Sequence, residues 1–385
     1  MILIKNATIF TMEGKNYKNG CIRIKDGKIK EISDNLINYP DEKVIEAEGY
    51  MVLPGFVDAH SHLGMWEDGI DIEGADGNES TDPITPHLRA IDAINPMDRS
   101  FKDAYQAGVT ATATGPGSAN VIGGQFAVIK TFGRRIDDMI VKEPAAIKCA
   151  FGENPKRVYG DQHKTPMTRM ATAAILRETL MEAKEYLNNK ESDNEDKHPD
   201  FDMQYEVLLP LLKREIPLKA HVHRADDIFT AIRIAKEFDL EMTLDHCTEG
   251  HLIADYLKEE GYPAIVGPTF SERSKVELRN LTFDTPGILN KAGIKIAIMT
   301  DHGVIPIQYL SLCAALAAKA GLDREEALKA ITIYPAEILG VEDRIGSLRE
   351  GKDADIVIWD RHPFDIESRV KMTIIDGKIA YRQNG

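Results

Sequence analysis

Residues 51–64 read MVLPGFVDAHSHLG, an apolar run that passes through a Pro-Gly pair and ends in two histidines one residue apart. Side chains at positions i and i+2 of a strand point to the same face, about 6.5–7 Å apart along the chain. His60 and His62 can therefore approach one cation, while Ser61 points away. Asp58 lies on the same face two residues earlier, and we expect it to orient an imidazole. The stretch predicts a strand that ends at a metal site.

The middle of the chain, from about residue 55 to 340, alternates short apolar segments with amphipathic ones. The alternation predicts α/β architecture, and it favours a (β/α)₈ TIM barrel over a doubly wound sheet because no Gly-rich dinucleotide turn follows any strand. The predicted strands are residues 53–59, 109–115, 126–132, 145–151, 217–223, 241–246, 263–268 and 294–300. The predicted helices between them include residues 167–187, 226–238, 249–260 and 306–321.

Both ends of the chain alternate apolar and polar residues, which is typical of half-buried antiparallel strands. Each end also carries an Asp-Gly-Lys sequence between apolar runs, at residues 26–28 and 376–378, and Asp-Gly favours a tight hairpin turn. We therefore predict a small composite β-sandwich domain built from both termini. Its two parts would be residues 1–54 and 343–385, with the barrel over residues 55–342.

The composition is that of an ordinary globular protein with a formal net charge of −15. This acidity argues against a nucleic-acid partner, because binding phosphates requires a basic surface. No apolar stretch approaches the ~18 residues of a membrane span. The four cysteines show no CxxC spacing, so we expect reduced thiols in a cytoplasmic protein.

The informative polar residues are those at the carboxyl ends of the predicted strands, where barrels of this kind place their active sites. Five of the eight strands carry histidine, lysine or a carboxylate there. These residues are His60 and His62 on the first strand, Lys148 and Glu153 on the fourth, His221 and His223 on the fifth, Asp245 and His246 on the sixth, and Asp301 on the eighth. Their convergence predicts a metal centre inside one ring of strands.

This set of motifs resembles the amidohydrolase superfamily. The resemblance rests on PGFVDAHSHLG, on the histidines that end strands five and six, and on the aspartate that ends strand eight. The segment 332–360 is similar to the one that closes many members of the superfamily and leads into their β domain. The resemblance covers essentially the whole chain, and within the superfamily the sequence looks closest to the imidazolonepropionase-like group.

The resemblance implies a role for each of these positions. His60 and His62 would bind a first divalent metal, with Asp301 as both ligand and proton shuttle, and His221 and His246 would bind a second. Either Glu153 or a Lys148 carbamylated by CO₂ would bridge the two, and Glu153 is the preferred candidate. Zinc is the expected metal, one or two per chain, with manganese and iron as alternatives. His223 would contact substrate or donate a proton.

Three further residues are candidates for substrate binding. Arg224 occupies the position where deaminases and imidazolonepropionases of the superfamily tend to carry a glutamate, and its guanidinium suits a substrate carboxylate. Asn120 and Gln125, around the Gly-Gly pair of residues 123–124, could hydrogen-bond an amide. The substrate is expected to be a small molecule, and homo-oligomerisation is an expectation from the family.

The function that the resemblance implies is metal-dependent hydrolysis of a C–N bond in an amide, cyclic amide or dipeptide-like molecule. Metal-activated hydroxide would attack the carbon, and Asp301 would transfer the proton. One alternative is an aminohydrolase that releases ammonia from a heterocycle, against which Arg224 counts. The other is a barrel scaffold that has lost catalysis. The metal content of the chain separates the scaffold from the two enzymes.

Overall fold

A computed structural model describes residues 1–383 and arranges the chain in two eight-stranded sheets. The strands are β1 Ile2–Ile9, β2 Tyr17–Lys25, β3 Lys28–Ser33, β4 Lys43–Glu46, β5 Met51–Pro54, β6 Phe56–Ser61, β7 Val109–Thr114, β8 Ile122–Lys130, β9 Ile140–Ala150, β10 Leu218–Val222, β11 Met242–His246, β12 Ala264–Val266, β13 Ile296–Ile298, β14 Ile356–Trp359, β15 Val370–Ile375 and β16 Lys378–Arg382. The helices are α1 Arg99–Gln106, α2 Glu153–Asp161, α3 Arg169–Lys190, α4 Met203–Glu206, α5 Leu209–Leu212, α6 Ala225–Phe238, α7 Ala254–Glu260, α8 Thr285–Lys291, α9 Leu310–Lys319, α10 Arg324–Lys329 and α11 Ile333–Leu339.

Strands β6 to β13 form one nearly closed sheet in sequential order. Its two end strands approach each other where the chain leaves β13, because the backbone N–H of Asp301 donates to the carbonyl of His60 at 3.2 Å. All eight predicted barrel strands overlap an observed one, and the four predicted helices overlap α3, α6, α7 and α9. The hydrogen bond between Asp301 and His60 places the ends of β6 and β13 at the same rim.

One strand of this sheet runs against the others. β8 pairs antiparallel with both β7 and β9, whereas the remaining pairs are parallel. A parallel return requires a crossover of about a dozen residues or more, and the connections 115–121 and 131–139 are shorter. The strict repeat expected of a (β/α)₈ barrel is therefore broken at its third strand.

The second sheet contains strands from both ends of the chain, in the order β16-β15-β14-β5-β1-β2-β3, with β4 paired to β1. Both Asp-Gly sequences form the predicted hairpin turns, with positive φ at Asp26 and Gly27 and at Asp376 and Gly377. All eight strands belong to one hydrogen-bonded sheet, and the sandwich arrangement stays a prediction. The domain boundaries stay a prediction.

A buried lysine joins the two sheets. Nζ of Lys130, on β8, lies 2.6 Å from Asp355, 3.0 Å from Asp376 and 3.1 Å from Asp353. Burial lowers the pKa of Lys130, but the three carboxylates outweigh this effect and raise it above its ordinary value. Asp353 also accepts from Lys28, whose side chain is 49% exposed. This cluster holds the terminal sheet against the barrel.

All four cysteines are free thiols and all are buried. Among residues 1–383, no helix has both the length and the apolar character needed to cross a lipid bilayer. A cytoplasmic location and a homo-oligomeric assembly stay predictions.

Candidate metal centre and active site

Three of the predicted ligands meet at the carboxyl ends of the first and last barrel strands. Oδ1 of Asp301 lies 3.1 Å from Nε2 of His62 and 3.6 Å from Nε2 of His60. The three donor atoms all lie within 4.8 Å of one another, and the histidines are buried. Two imidazoles and a carboxylate at these separations form a set that suits a divalent transition metal. We refer to these residues as the first cluster.

Hydrogen bonds at Nδ1 fix the orientation of the two imidazoles in the first cluster. Nδ1 of His60 lies 2.6 Å from Oδ2 of Asp245, and Nδ1 of His62 lies 2.7 Å from the carbonyl of Gly115. Asp245 is fully buried and is held in turn by Nζ of Lys219 at 3.0 Å. A hydrogen bond at Nδ1 fixes the tautomer that leaves Nε2 free to bind a metal.

Asp58 does not orient an imidazole as the sequence suggested. Its Oδ1 accepts from the backbone N–H of His60, and its Oδ2 accepts from the N–H and the hydroxyl of Thr300. Burial raises the pKa of Asp58 to about 7. Asp58 therefore ties the backbone of β6 to the chain that follows β13, while Asp245 orients the ring of His60.

A second group of imidazoles lies beside the first cluster. The donor atoms of His221, His223 and His246 lie within 4.8 Å of one another, and all three residues are buried. Nδ1 of His223 meets the hydroxyl of Thr248 at 2.8 Å, and Nδ1 of His246 meets the carbonyl of Gly267 at 2.9 Å. Nε2 of His246 is buried and has no hydrogen-bond partner among the residues that the structure describes. An unpartnered buried nitrogen among other imidazoles suits a metal better than a packed core.

Burial also sets the protonation of these rings. It lowers the pKa of His60, His221, His223 and His246 well below 6.5, and neighbouring charges, Lys148 among them, lower it further. The four imidazoles are therefore neutral at pH 7, which is the form that binds metals.

The two candidates for the bridging group occupy different places. Nζ of Lys148 lies 3.3 Å from Nε2 of His60, and burial lowers the pKa of Lys148 to about 8. Glu153 is the first residue of α2 and belongs to neither group of donors. Its backbone N–H donates to Oε2 of Glu277 at 2.9 Å. The position of Lys148 favours it over Glu153.

Glu277 is a candidate that the sequence did not single out. It lies in the connection between β12 and α8 and is 1% exposed. Its Oε1 lies 3.7 Å from Nε2 of His223 and 3.9 Å from Nε2 of His221. Within residues 1–383 this oxygen has no hydrogen-bond partner. No strand end or motif spacing marks the position, so sequence reasoning had no signal for it.

Both groups of donors open into one cavity of about 1100 Å³. His62, His221, His223, His246 and Asp301 line it. The connection 268–283 forms much of the wall and contributes two aromatic side chains and two cationic ones, which are Phe270, Phe283, Arg273 and Lys275. Nζ of Lys275 donates to Oδ1 of Asn154 at 2.7 Å.

The three predicted substrate-binding residues are used elsewhere, and none of them lines the cavity. Arg224 precedes α6 and pairs with both carboxylate oxygens of Asp226 at 2.9 Å. Asn120 binds the carbonyl of Glu79 and two hydroxyls, and Gln125 donates to the carbonyl of Pro86 at 3.3 Å. Tertiary contacts thus direct these three side chains to partners within the protein.

Two of the site residues have an uncommon backbone conformation. φ is +70° at His246 and +54° at Asp301, in the left-handed region that non-glycine residues rarely adopt. Such strain concentrates at functional sites, where the surrounding structure imposes it. Here it turns the chain sharply at the ends of β11 and β13 and directs both side chains to the donor groups.

Two groups of candidate metal ligands at one rim of a nearly closed barrel are the arrangement expected of a metal-dependent hydrolase. Residues 51–380 match the Amidohydrolase family, and the chain belongs to that family. Members are hydrolases that act on C–N bonds, and dependence on a metal is typical of them. The resemblance found in the sequence is thereby confirmed.

Individual relatives agree with this assignment. Amidohydrolase tasK of Hapsidospora irregularis is 28% identical over 98% of this chain, which spans 43% of that protein. An imidazolonepropionase of Paracoccus denitrificans is 24% identical over 99% of both chains. Among solved structures, an amidohydrolase from Thermotoga maritima MSB8 is 45% identical over the full length of both chains, with a TM-score of 0.96.

Proposed function

We propose that this protein is a metal-dependent amidohydrolase that hydrolyses the C–N bond of an amide, a cyclic amide or a dipeptide-like small molecule. The proposal rests on one observation. Two groups of buried imidazoles lie at a single cavity together with Asp301, and Nε2 of His246 has no hydrogen-bond partner among residues 1–383. A divalent cation supplies the missing contact and satisfies this donor set.

His60, His62 and Asp301 would hold the first cation, and His221 and His246 would contribute to a second. Zinc suits imidazole and carboxylate ligands, as do manganese and iron. When bound, the metal supplies a Lewis acid that polarises the substrate and lowers the pKa of water from 15.7 towards about 7. The chain itself supplies the orientation of the ligands, through Asp245 behind His60 and Gly115 behind His62.

Lys148 is our candidate for the bridging group. Its Nζ would add to the carbon of CO₂ and release one proton, which turns a buried amine into a carbamate with two oxygen donors. The distance of 3.3 Å to Nε2 of His60 supports this assignment, because it places the new oxygens beside the first cluster. The lowered pKa favours the neutral amine that the addition requires.

Asp301 is our candidate for the proton shuttle. Its carboxylate lies between the imidazoles of the first cluster and faces the cavity. It would accept a proton from the attacking water and deliver it to the departing nitrogen, which is general acid–base catalysis.

The wall of the cavity supports a substrate that carries a carboxylate. Arg273 and Lys275 are the cationic side chains at the wall, and they take the place in this proposal that Arg224 held in the sequence prediction. An N-acyl amino acid or a dipeptide offers a carboxylate for these cations and an apolar side chain for Phe270 and Phe283.

The test is elemental analysis of protein purified without chelators, followed by a screen of N-acyl amino acids, dipeptides and cyclic amides. We expect bound zinc, manganese or iron and release of a free carboxylate from at least one substrate class. Matched amides that lack the terminal carboxylate should be poorer substrates. Release of ammonia from heterocycles instead would identify an aminohydrolase. A fully metallated protein that hydrolyses none of them would overturn the proposal.

A further inference from the structure

Glu277 is a buried carboxylate with an unused oxygen next to two imidazoles. Its side chain is 1% exposed, and Oε1 has no hydrogen-bond partner among residues 1–383. Leaving a charged oxygen in this state is costly unless a cation satisfies it. Nε2 of His246 is also buried and has no hydrogen-bond partner in the described part of the chain.

Two separations of Glu277 are close to those of ligands on one metal ion, and Glu277 lies just outside the group of donors that are all within 4.8 Å of one another. With ligand bonds of about 2.0–2.2 Å, neighbouring ligands of a tetrahedral metal lie about 3.3–3.6 Å apart. Oε1 of Glu277 lies 3.7 Å from Nε2 of His223 and 3.9 Å from Nε2 of His221. These distances are too long for a direct hydrogen bond and close to those of two ligands on one cation.

The other oxygen of Glu277 is fixed by the protein. Oε2 accepts from the backbone N–H of Glu153 at 2.9 Å. Gly152 makes room for this contact, because a Cβ at its position would lie 2.7 Å from Oε2. φ of Gly152 is +79°, which also favours glycine. The carboxylate is therefore held in place with Oε1 directed to the imidazoles.

The charged side chains nearest to Glu277 have other partners, so Oε1 of Glu277 remains available to a cation. Nζ of Lys275 lies 3.8 Å away and already donates to Asn154. Oδ2 of Asp227 lies close to Gly152, but Arg169 pairs with Asp227 at 2.9 Å. Lys275 and Leu278 line the cavity, whereas Glu277 between them does not.

We propose that Glu277 and His223 are ligands of the second cation, together with His221 and His246. The site then has three imidazoles and one carboxylate, and His223 binds metal instead of donating a proton. This inference rests on the proposed function, which requires metal at the centre. Under this inference Glu277, in the connection between β12 and α8, supplies a carboxylate ligand to the second site. A bridging group such as Lys148 would be a further ligand.

The experiment compares zinc binding by wild-type protein, Glu277→Gln and Glu272→Gln. Glu272 is exposed in the same connection, so its variant loses the same charge without touching the imidazoles. Metal-free protein is titrated with zinc against a chromophoric chelator, and zinc per chain is counted by mass spectrometry. We expect two zinc ions in wild type and in E272Q. E277Q should keep the first and bind the second at least about 100-fold more weakly.

A second measurement uses wild-type protein and therefore does not require that any variant folds correctly. Crystals of wild-type protein soaked in zinc should show an anomalous peak within about 2.0–2.2 Å of Oε1. A peak beyond bonding distance of Oε1, or an E277Q protein that holds its second zinc as tightly as wild type, would overturn the inference. These outcomes leave the proposed function standing. Wild-type protein that binds no metal at all would instead refute the proposed function.

Discussion

Nδ1 of His60 and Oδ2 of Asp245 lie 2.6 Å apart, and both side chains are completely buried. The pair joins the first barrel strand to the sixth. Because the carboxylate holds the proton of the imidazole on Nδ1, Nε2 is left to face Asp301 and Lys148. The geometry of the first cluster thus depends on a residue 185 positions away in the chain.

Replacing Asp245 by asparagine should weaken metal binding at the first cluster by about 10–100-fold, the range for groups that orient a ligand. The measurement is the zinc dissociation constant, determined by competition with a chelator. Thr243→Val is the matched control, because Thr243 donates to the other oxygen of Asp245 at 2.8 Å. The T243V variant should change the zinc dissociation constant less than D245N does. Equal affinities in wild type and D245N would contradict the role assigned here.

Asp301→Asn should lower kcat by about 10²–10⁴-fold on whichever substrate the screen identifies, because the amide cannot accept the proton. The assay is run at saturating zinc, with zinc per chain counted in parallel. If D301N binds the full complement of zinc and retains wild-type kcat, Asp301 is not the proton shuttle.

Lys148→Ala should lower the affinity for metal and the activity together, because it removes the proposed carbamate. Acetate, which supplies a carboxylate that fits the vacated space, should restore part of both. Wild-type protein equilibrated with ¹³C-bicarbonate should show a protein-bound carbamate in its ¹³C NMR spectrum. The absence of that signal from fully metallated protein would argue for another bridging group.

Lys130→Met should lower the free energy of unfolding by about 3–5 kcal/mol, the cost of leaving buried charges unpaired. Three carboxylates lose their common partner in this variant. Lys28→Met is the control, because Lys28 is half-exposed and contributes only one partner to Asp353. It should cost about 1 kcal/mol or less. Denaturant unfolding measures the free energy of unfolding of both variants. Similar decreases in K130M and K28M would contradict the role of the Lys130 cluster in joining the two sheets.

His362 gives a pH-dependent test. Burial and the guanidinium of Arg324 lower its pKa below 6.5, and its Nδ1 accepts from the N–H of Phe364 at 3.1 Å. The unfolded chain therefore binds a proton at higher pH than the folded one, and stability falls as the pH drops below 6.5. His362→Gln removes this loss. The stability of wild type relative to H362Q should decrease between pH 7.5 and 5.5, and a constant difference would contradict the assignment.

Much of the site could be predicted because its ligands end strands. His60, His62, His221, His246 and Asp301 follow apolar segments whose carboxyl ends must meet in any barrel. The same reasoning could not find Asp245 as the partner of His60, since the two lie on strands that are distant in sequence. The sequence also suggested Arg224 as a substrate contact, but its guanidinium pairs with the carboxylate of Asp226.

The sequence by itself determined the barrel, the sheet of terminal strands and the family, because these follow from local periodicity and from motifs within single strands. Only the tertiary structure decided the reversed direction of β8, the position of Lys148 next to His60, and the position of Glu277 beside the imidazoles. Each of these depends on how loops and strands far apart in the chain pack against one another. Contacts of that kind leave no pattern within one segment, because the burial and electrostatics that select them exist only after the ring of strands has formed.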